Sequence, residues 1–186
     1  MLILAEALAR PRLAWEAFAQ DRGLHFVASL EYPADPLAID GRVHGIDVAL
    51  VVRRTRQRRS DKAPFETIVR AQARYALLGR LVVHPTRWID RLLRLFRAPA
   101  TLGDASLDAE LTVKTSSSAI LETVADETTL GALRVLTPRS LIRLAYENGV
   151  IAIRWSGAEE THEVLDAALK LVTHLAVTGS EVSPYR

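Results

Sequence analysis

"SLIRLAYENGVIAIRW", residues 140–155, decides the fold class of this 186-residue chain. Apolar and polar side chains alternate on both sides of Asn148-Gly149. That dipeptide readily adopts the left-handed backbone that a two-residue turn between antiparallel strands requires. The stretch therefore predicts a β-hairpin.

The same pattern predicts more strands. "LAIDGRVHGIDVALVVRR", residues 37–54, is rich in β-branched residues and has His44-Gly45 at its centre, so it predicts a second hairpin. Residues 24–30, 80–85 and 109–115 each show the length or alternation of a strand. Pro64 and Gly79 frame a segment that could be a helix, but "ETIVRAQA" within it favours the next strand of a meander.

Helices are predicted at the beginning, middle and end of the chain. They cover residues 11–22, after a first-turn proline, residues 87–97, residues 126–136 with Asp126 or Thr128 as cap, and the closing "EETHEVLDAALKLVTHLA". Hairpins without regular βα alternation indicate an α+β fold. We expect a curved, mainly antiparallel sheet with these helices packed on it.

The expected organisation is one domain over residues 1–178 with a frayed tail at 179–186. Residues 98–106 are the only reasonable place for a domain boundary. Hydrophobic residues make up 49% and charged residues 25%, as in ordinary globular proteins.

The absence of cysteine excludes disulfides, thiolate metal sites and cysteine nucleophiles, and fits a reducing cytoplasm. "MLILAEALAR" lacks the features of a secretory signal, and charges interrupt every apolar run before about 18 residues. We expect a bacterial cytoplasmic protein, with the surface of the inner membrane as the alternative location.

No motif for catalysis or nucleotide binding is present. "HEVLD" has Asp166 where a zinc-protease helix has its second histidine, so His162 and Asp166 predict a solvated pair. The Ser116–Ser118 cluster predicts a polar turn, and Asp104 and Asp108 predict a capped turn. We expect no metal and no cofactor.

Charge is strongly segregated along the chain. Residues 51–100 carry thirteen basic and three acidic side chains, whereas residues 1–50 and 101–186 have net charges of −3 and −5. The densest part is predicted to be a loop after the second hairpin, with Arg53, Arg54, Arg56, Arg58, Arg59 and Lys62. It is either an anion-binding surface or a solvated loop whose arginine content reflects a GC-rich genome.

The predicted helix at 87–97 is amphipathic. Trp88, Ile89, Leu92, Leu93, Leu95 and Phe96 share one side, opposite Arg87, Arg91, Arg94 and Arg97. Packing of the apolar side on the sheet is the favoured interpretation. The alternatives are a membrane interface and a docking site for a partner protein.

The order of "IDGRVHGIDVALVV", "GDASLDAELTV" and "YENGVIAIRW…LDAALKLVTHLA" resembles uncharacterised bacterial proteins over residues 35–155 and beyond. The resemblance rests on glycine turns and apolar alternation. Better-known members of that group carry separate membrane-spanning anchors. The resemblance implies no functional residue for this chain.

The resulting hypothesis is a non-enzymatic binding or scaffold module. Its predicted partner-binding residues are Arg53, Arg54, Arg56, Arg58, Arg59, Lys62, Arg87, Arg91 and Arg94. The preferred partner is an acidic protein surface or a second copy of the chain, followed by an anionic membrane surface. Nucleic acid is less favoured because no aromatic residue interrupts the arginine run.

Two rival classes stay open. One is an enzyme whose site is assembled from scattered residues such as His84, Asp104 and Asp108, with arginines orienting an anionic substrate. The other is a structural homo-oligomer.

Overall fold

A computed structural model describes residues 6–29, 35–55, 65–73, 79–93, 100–139 and 141–181. The fold is α+β, as predicted, with the described strands joined in a single antiparallel sheet in the order β1-β2-β3-β4-β8-β7-β5-β6. The strands are β1 His25–Ala28, β2 Leu37–Val43, β3 Ile46–Arg54, β4 Phe65–Gln72, β5 Arg80–Pro85, β6 Leu111–Thr115, β7 Leu141–Glu147 and β8 Val150–Ser156.

The helices occur between and after these strands. They are α1 Ala9–Asp21, α2 Trp88–Leu93, α3 Ala105–Glu110, α4 Ser118–Val124, α5 Glu127–Leu136 and α6 His162–Glu181, with a short 3-10 turn at Thr137–Arg139. Asp126 caps α5 by accepting a hydrogen bond from the Thr129 amide at 2.9 Å, which confirms one of the two predicted caps.

Both predicted hairpin turns are confirmed. His44 and Gly45 have φ of 51° and 76°, and Asn148 and Gly149 have φ of 53° and 77°. Positive φ at both central residues is the geometry whose twist matches that of the flanking strands. The β7–β8 hairpin lies inside the sheet, where β8 pairs with β4 and β7 pairs with β5, so it joins the two halves of the sheet.

Helices α1 and α6 cover one face of this sheet. The long α6 packs across β3, β4 and β8, while α1 lies against β1 and β2. A single core cluster includes Leu165 and Val172 from α6 together with Val69 and Ile153 from the sheet. Alternate residues of each strand therefore point either into this core or to the second face of the sheet.

Several predicted boundaries are corrected. Arg53 and Arg54 belong to β3, paired with Glu66 and Phe65, rather than to a loop. The segment 64–79 does contain a strand, β4, as favoured. The helix α6 continues through Glu181, so the first residues of the predicted tail are helical, and 182–186 lie outside the described residues.

Two short helices were not predicted. Sequence analysis expected turns around Asp104 and Ser117, whereas α3 and α4 begin there. Asp104 accepts hydrogen bonds from the amides of Ser106 and Leu107 at 2.9 and 3.0 Å, so the expected capping interaction is present and initiates a full helical turn. In the parts of the chain that the structure describes, no helix has the length and hydrophobicity needed to cross a membrane.

The buried residue Glu159 connects the C-terminal helix to its surroundings. Its carboxylate accepts hydrogen bonds from the amides of Glu160 and Thr161 at 3.1 and 2.8 Å, just before α6, and from Trp155 Nε1 at 3.1 Å. The amides are donors that the start of a helix leaves without intrahelical partners. The carboxylate therefore joins the residues that lead into α6 to β8.

The main chain of Glu159 makes two further connections. Its carbonyl oxygen accepts a hydrogen bond from Trp15 Nε1 of α1 at 2.7 Å, and its amide donates to the Thr67 hydroxyl of β4 at 3.0 Å. The same hydroxyl donates to the Gly157 carbonyl at 2.7 Å. We call these contacts of Glu159, with Trp15, Thr67 and Trp155, the Glu159 junction.

Replacing Thr67 by valine tests the Glu159 junction. Thr67→Val keeps the side-chain shape but leaves the Glu159 amide and the Gly157 carbonyl without their partner. We expect the free energy of unfolding to fall by about 1–3 kcal/mol, measured by urea denaturation. The control Thr128→Val, at an exposed position of α5, should change it by no more than about 0.5 kcal/mol. Equal losses for the two variants would contradict this role of Thr67.

Candidate functional site

The second face of the sheet carries a concentration of basic side chains at β5, β6, β7 and β8. Leu81, Val83, Leu144 and Ile153 point into the core. The residues that alternate with them point the other way, namely Arg80, Val82, His84, Arg143 and Arg154.

These side chains line a groove with a volume of about 660 Å³. Five of its eleven lining residues are arginine or lysine, one is histidine, and Asp90 is the acidic one. We call it the basic groove and define it by its basic members: Arg80, His84, Arg87, Lys114, Arg143 and Arg154.

Strand register brings like charges together in the basic groove. Arg143 of β7 lies directly opposite Arg154 of β8, an arrangement that destabilises a sheet unless a counter-charge is near. Glu147 provides part of that charge, because it forms ion pairs with Arg143 and, at 2.9 Å, with Arg80. The Arg80 hydrogen bond is the main cause that lowers the pKa of Glu147, against the opposing effect of burial.

The basic groove keeps positive charge that the described residues do not neutralise. Neither Arg87 nor Arg154 forms an ion pair with a described residue, and Arg143 Nε is buried without a hydrogen-bond partner. A buried donor without an acceptor costs free energy. An anion in the basic groove would supply the missing counter-charge.

Asp90 holds α2 beside the basic groove. Its side chain is 5% exposed and accepts a hydrogen bond from the Arg87 amide at 3.0 Å. Lys114 Nζ lies 3.6 Å and His84 Nδ1 lies 3.9 Å from its carboxylate. Burial acts to raise the pKa of Asp90, but the Arg87 amide, His84 and Lys114 together outweigh it and keep that pKa below its ordinary value.

The orientation of α2 corrects the core-packing prediction for its first residues. Trp88 is 73% exposed and Ile89 is 49% exposed. Asp90 and Trp88 are separated by roughly 200° around a helix, so anchoring Asp90 toward the sheet turns Trp88 toward solvent. The side chains of Leu92 and Leu93, and residues 94–99, lie outside what the structure describes.

The predicted partner-binding residues are distributed as follows. Arg87 lines the basic groove, and Arg91 is exposed on α2 next to it. Arg53 lies on β3 with Asp35 at 3.4 Å, and Arg54 ends the same strand. Residues Arg56, Arg58, Arg59, Lys62 and Arg94 lie outside the described residues.

Most of the basic groove was missed by sequence analysis, although a signal for part of it exists. Arg143 and Arg154 are equally distant from the centre of Asn148-Gly149, so a two-residue turn places them opposite each other. Arg80 and His84 fall on alternate positions of one predicted strand. Only the pairing of β5 with β7 and β6 brings these two sets and Lys114 together.

The residues proposed for an enzymatic site have separate roles. His84 lies in the basic groove, and its Nδ1 is 3.0 Å from the Pro85 carbonyl, to which it can only donate. Asp104 caps α3 and pairs with Arg134 at 2.7 Å, while Asp108 accepts hydrogen bonds from the Leu102 and Gly103 amides. Asp104 and Asp108 thus stabilise the start of α3, as the capped-turn interpretation predicted.

The prediction for His162 concerned a pair with Asp166. His162 lies 3.5 Å from Asp21, not against Asp166, which pairs instead with Arg22 and Lys170. The predicted His162–Asp166 pair is therefore wrong. Across the described ranges, no three His, Cys, Asp or Glu side chains are grouped so that they could hold a metal ion.

Comparison with known proteins adds information on the fold. No protein-family model matches the chain, and no curated protein matches its sequence, in keeping with a resemblance too unspecific to transfer any functional residue. Among solved structures, the fold is similar to the crystal structure of the mycobacterial trehalose monomycolate transport factor A, TtfA. The TM-score is 0.57 at 9% sequence identity, over 95% of this chain and 98% of that chain. At this identity the similarity shows a shared fold alone.

The acid dependence of stability tests the anchoring role of Asp90. Because its pKa is lowered in the folded protein, its contribution is complete above the ordinary value of 3.8 and is lost as the pH falls through the folded-state pKa. We expect Asp90→Asn to be less stable than wild type at pH 7 and the difference to shrink below about pH 4, in urea denaturation at several pH values.

Glu16→Gln provides the control for this experiment. Glu16 is exposed on α1, at the opposite end of the sheet from the basic groove, so its stability difference should stay small throughout. A stability difference for Asp90→Asn that does not change with pH would contradict the anchoring role of the ionised carboxylate.

Proposed function

We propose that this chain is a binding module that holds an anionic partner in the basic groove. The observation that carries the proposal is the convergence of five permanent cations and His84 on one groove whose own lining contains a single carboxylate. Glu147 and Asp90 neutralise part of this charge, and Arg87 and Arg154 add charge that no described residue pairs with.

The chemistry of these side chains supports recognition of carboxylate or phosphate groups. A guanidinium group presents parallel N–H donors that match two oxygen atoms of either anion. Cations in a concave, partly enclosed site also concentrate the electric field and speed the approach of an anion.

This proposal shifts the binding site relative to the sequence-based hypothesis. The proposed surface is built mainly from strands and shares Arg87 with the predicted helix at 87–97, whereas most of the predicted loop at 53–62 lies outside the described residues. Arg91 extends the same surface along α2. An acidic protein surface or a second copy of the chain, whose residues 101–186 have a net charge of −5, are the partners first considered.

Binding of a labelled polyglutamate peptide tests the proposal. Fluorescence anisotropy should show binding to the wild-type chain that weakens as salt is added, since the attraction is electrostatic. Arg87→Ser combined with Arg154→Ser removes two cations without breaking an ion pair among the described residues. We expect this variant to bind roughly fivefold more weakly, from about 0.5 kcal/mol for each charge.

A matched control separates the groove from net charge. Arg10 and Arg12 are exposed on α1, against the far end of the sheet, so Arg10→Ser with Arg12→Ser makes the same change in net charge. This control should bind like wild type. Equal weakening by the two double variants would show a general charge effect and overturn the groove as the binding site.

A further inference from the structure

We propose that the anionic partner is the surface of a lipid bilayer, with Trp88 and Ile89 entering the interface above the basic groove; this inference rests on the proposed function. Among the large hydrophobic residues that are exposed in the described parts of the chain, Trp88 and Ile89 are the two that follow one another in the sequence. The others, Leu13, Val27, Val150 and Val177, are distributed over four different elements.

Trp88 and Ile89 have cations on both sides. Arg87 precedes them and lines the groove, and Arg91 follows them and is exposed. Tryptophan prefers the boundary between water and hydrocarbon, because its ring is apolar and its N–H is polar. Arginine at the same boundary keeps its charged group among lipid phosphates while its methylene stem lies against apolar groups.

The contacts of Asp90 fix the orientation in which α2 exposes Trp88. The carboxylate is buried against Lys114, His84 and the Arg87 amide, so α2 is fixed with Trp88 pointing outward. Exposure of the indole is therefore held by a specific set of contacts.

The basic groove would then receive headgroup phosphates. Arg87 and Ile89 both line it, so the cationic wall and the apolar pair meet along one edge. Electrostatic attraction to anionic lipid and shallow insertion of a few apolar side chains are each weak. Together they give reversible attachment that depends on lipid composition.

Other anionic partners fit this surface less well. None of the lining residues is Phe, Tyr or Trp, so nucleic acid in the groove would find no aromatic ring for its bases. A stable protein interface generally has an apolar centre within roughly 800 Å² per partner. The exposed apolar group here consists of two neighbouring residues at the edge of a charged groove.

Tryptophan fluorescence gives a direct test. The chain has three tryptophans, and Trp15 and Trp155 are 0% and 1% exposed, so the one accessible to a quencher is Trp88. We expect vesicles of phosphatidylglycerol and phosphatidylcholine to shift the emission to shorter wavelength and to protect it from acrylamide. Vesicles of phosphatidylcholine alone should do neither, and high salt should reverse the effect.

Variants identify the contribution of each part. Trp88→Ser, at a residue outside the groove lining, should weaken sedimentation with phosphatidylglycerol vesicles at least about tenfold, while polyglutamate binding in the groove stays as in wild type. Leu13→Ser, which removes an equally exposed apolar side chain from α1, should leave vesicle binding unchanged.

The outcomes distinguish failure of this inference from failure of the proposed function. Binding of polyglutamate without vesicle binding would leave the groove as an anion site and overturn the lipid surface as its partner. Vesicle binding with Trp88 still accessible to acrylamide would overturn insertion. Equal protection of Trp88 by polyglutamate or by a DNA oligonucleotide would overturn lipid as the preferred partner. Binding of none of these probes would overturn both proposals.

Discussion

The buried Glu159 junction is the constraint on which the two-layer arrangement depends. Four elements meet there, since its hydrogen bonds reach α1 through Trp15, β4 through Thr67 and β8 through Trp155, and its carboxylate accepts from the amides of Glu160 and Thr161 just before α6. Burying a charged group is favourable only when hydrogen bonds replace its water. The donors to the carboxylate lie between Trp155 and Thr161, whereas the main-chain carbonyl and amide of Glu159 bond to Trp15 of α1 and Thr67 of β4. The junction therefore connects α1 and β4 to the segment that leads into α6.

Placing α1 and α6 on one face determines what the other face can do. Neighbouring residues such as Ile153 and Arg154 must point to opposite sides of β8, so each apolar residue committed to the core leaves its neighbour on the second face. Apart from Arg87, the basic side chains of the groove are consequently carried by strands that pack on a buried core. A site on such strands loses less conformational entropy on binding than a mobile loop would.

The sequence predicted local structure well because turn chemistry and alternation are local properties. Asn148-Gly149 and His44-Gly45 each specified a hairpin, and the strand β4 was favoured over a helix at the same position. The α+β class followed from these elements. What could not be read from the sequence was the pairing of β8 with β4 and of β5 with β7, because those contacts join segments far apart in the chain. The orientation of α2 was also missed, since its apolar stripe outweighed Asp90 in the pattern.

The location of the candidate site shows why charge counted along a sequence is a poor guide to charge on a surface. Residues 51–100 hold the excess of +10, yet among the described residues of that block the members of the basic groove are Arg80, His84 and Arg87. Lys114, Arg143 and Arg154 come from the segment with a net charge of −5, whose carboxylates lie mainly elsewhere, as at the caps of α3 and α5. Strand register, rather than clustering in the chain, concentrates the charge. An anionic partner would therefore recognise the folded sheet, and unfolding would disperse the site even though every arginine remained in the chain.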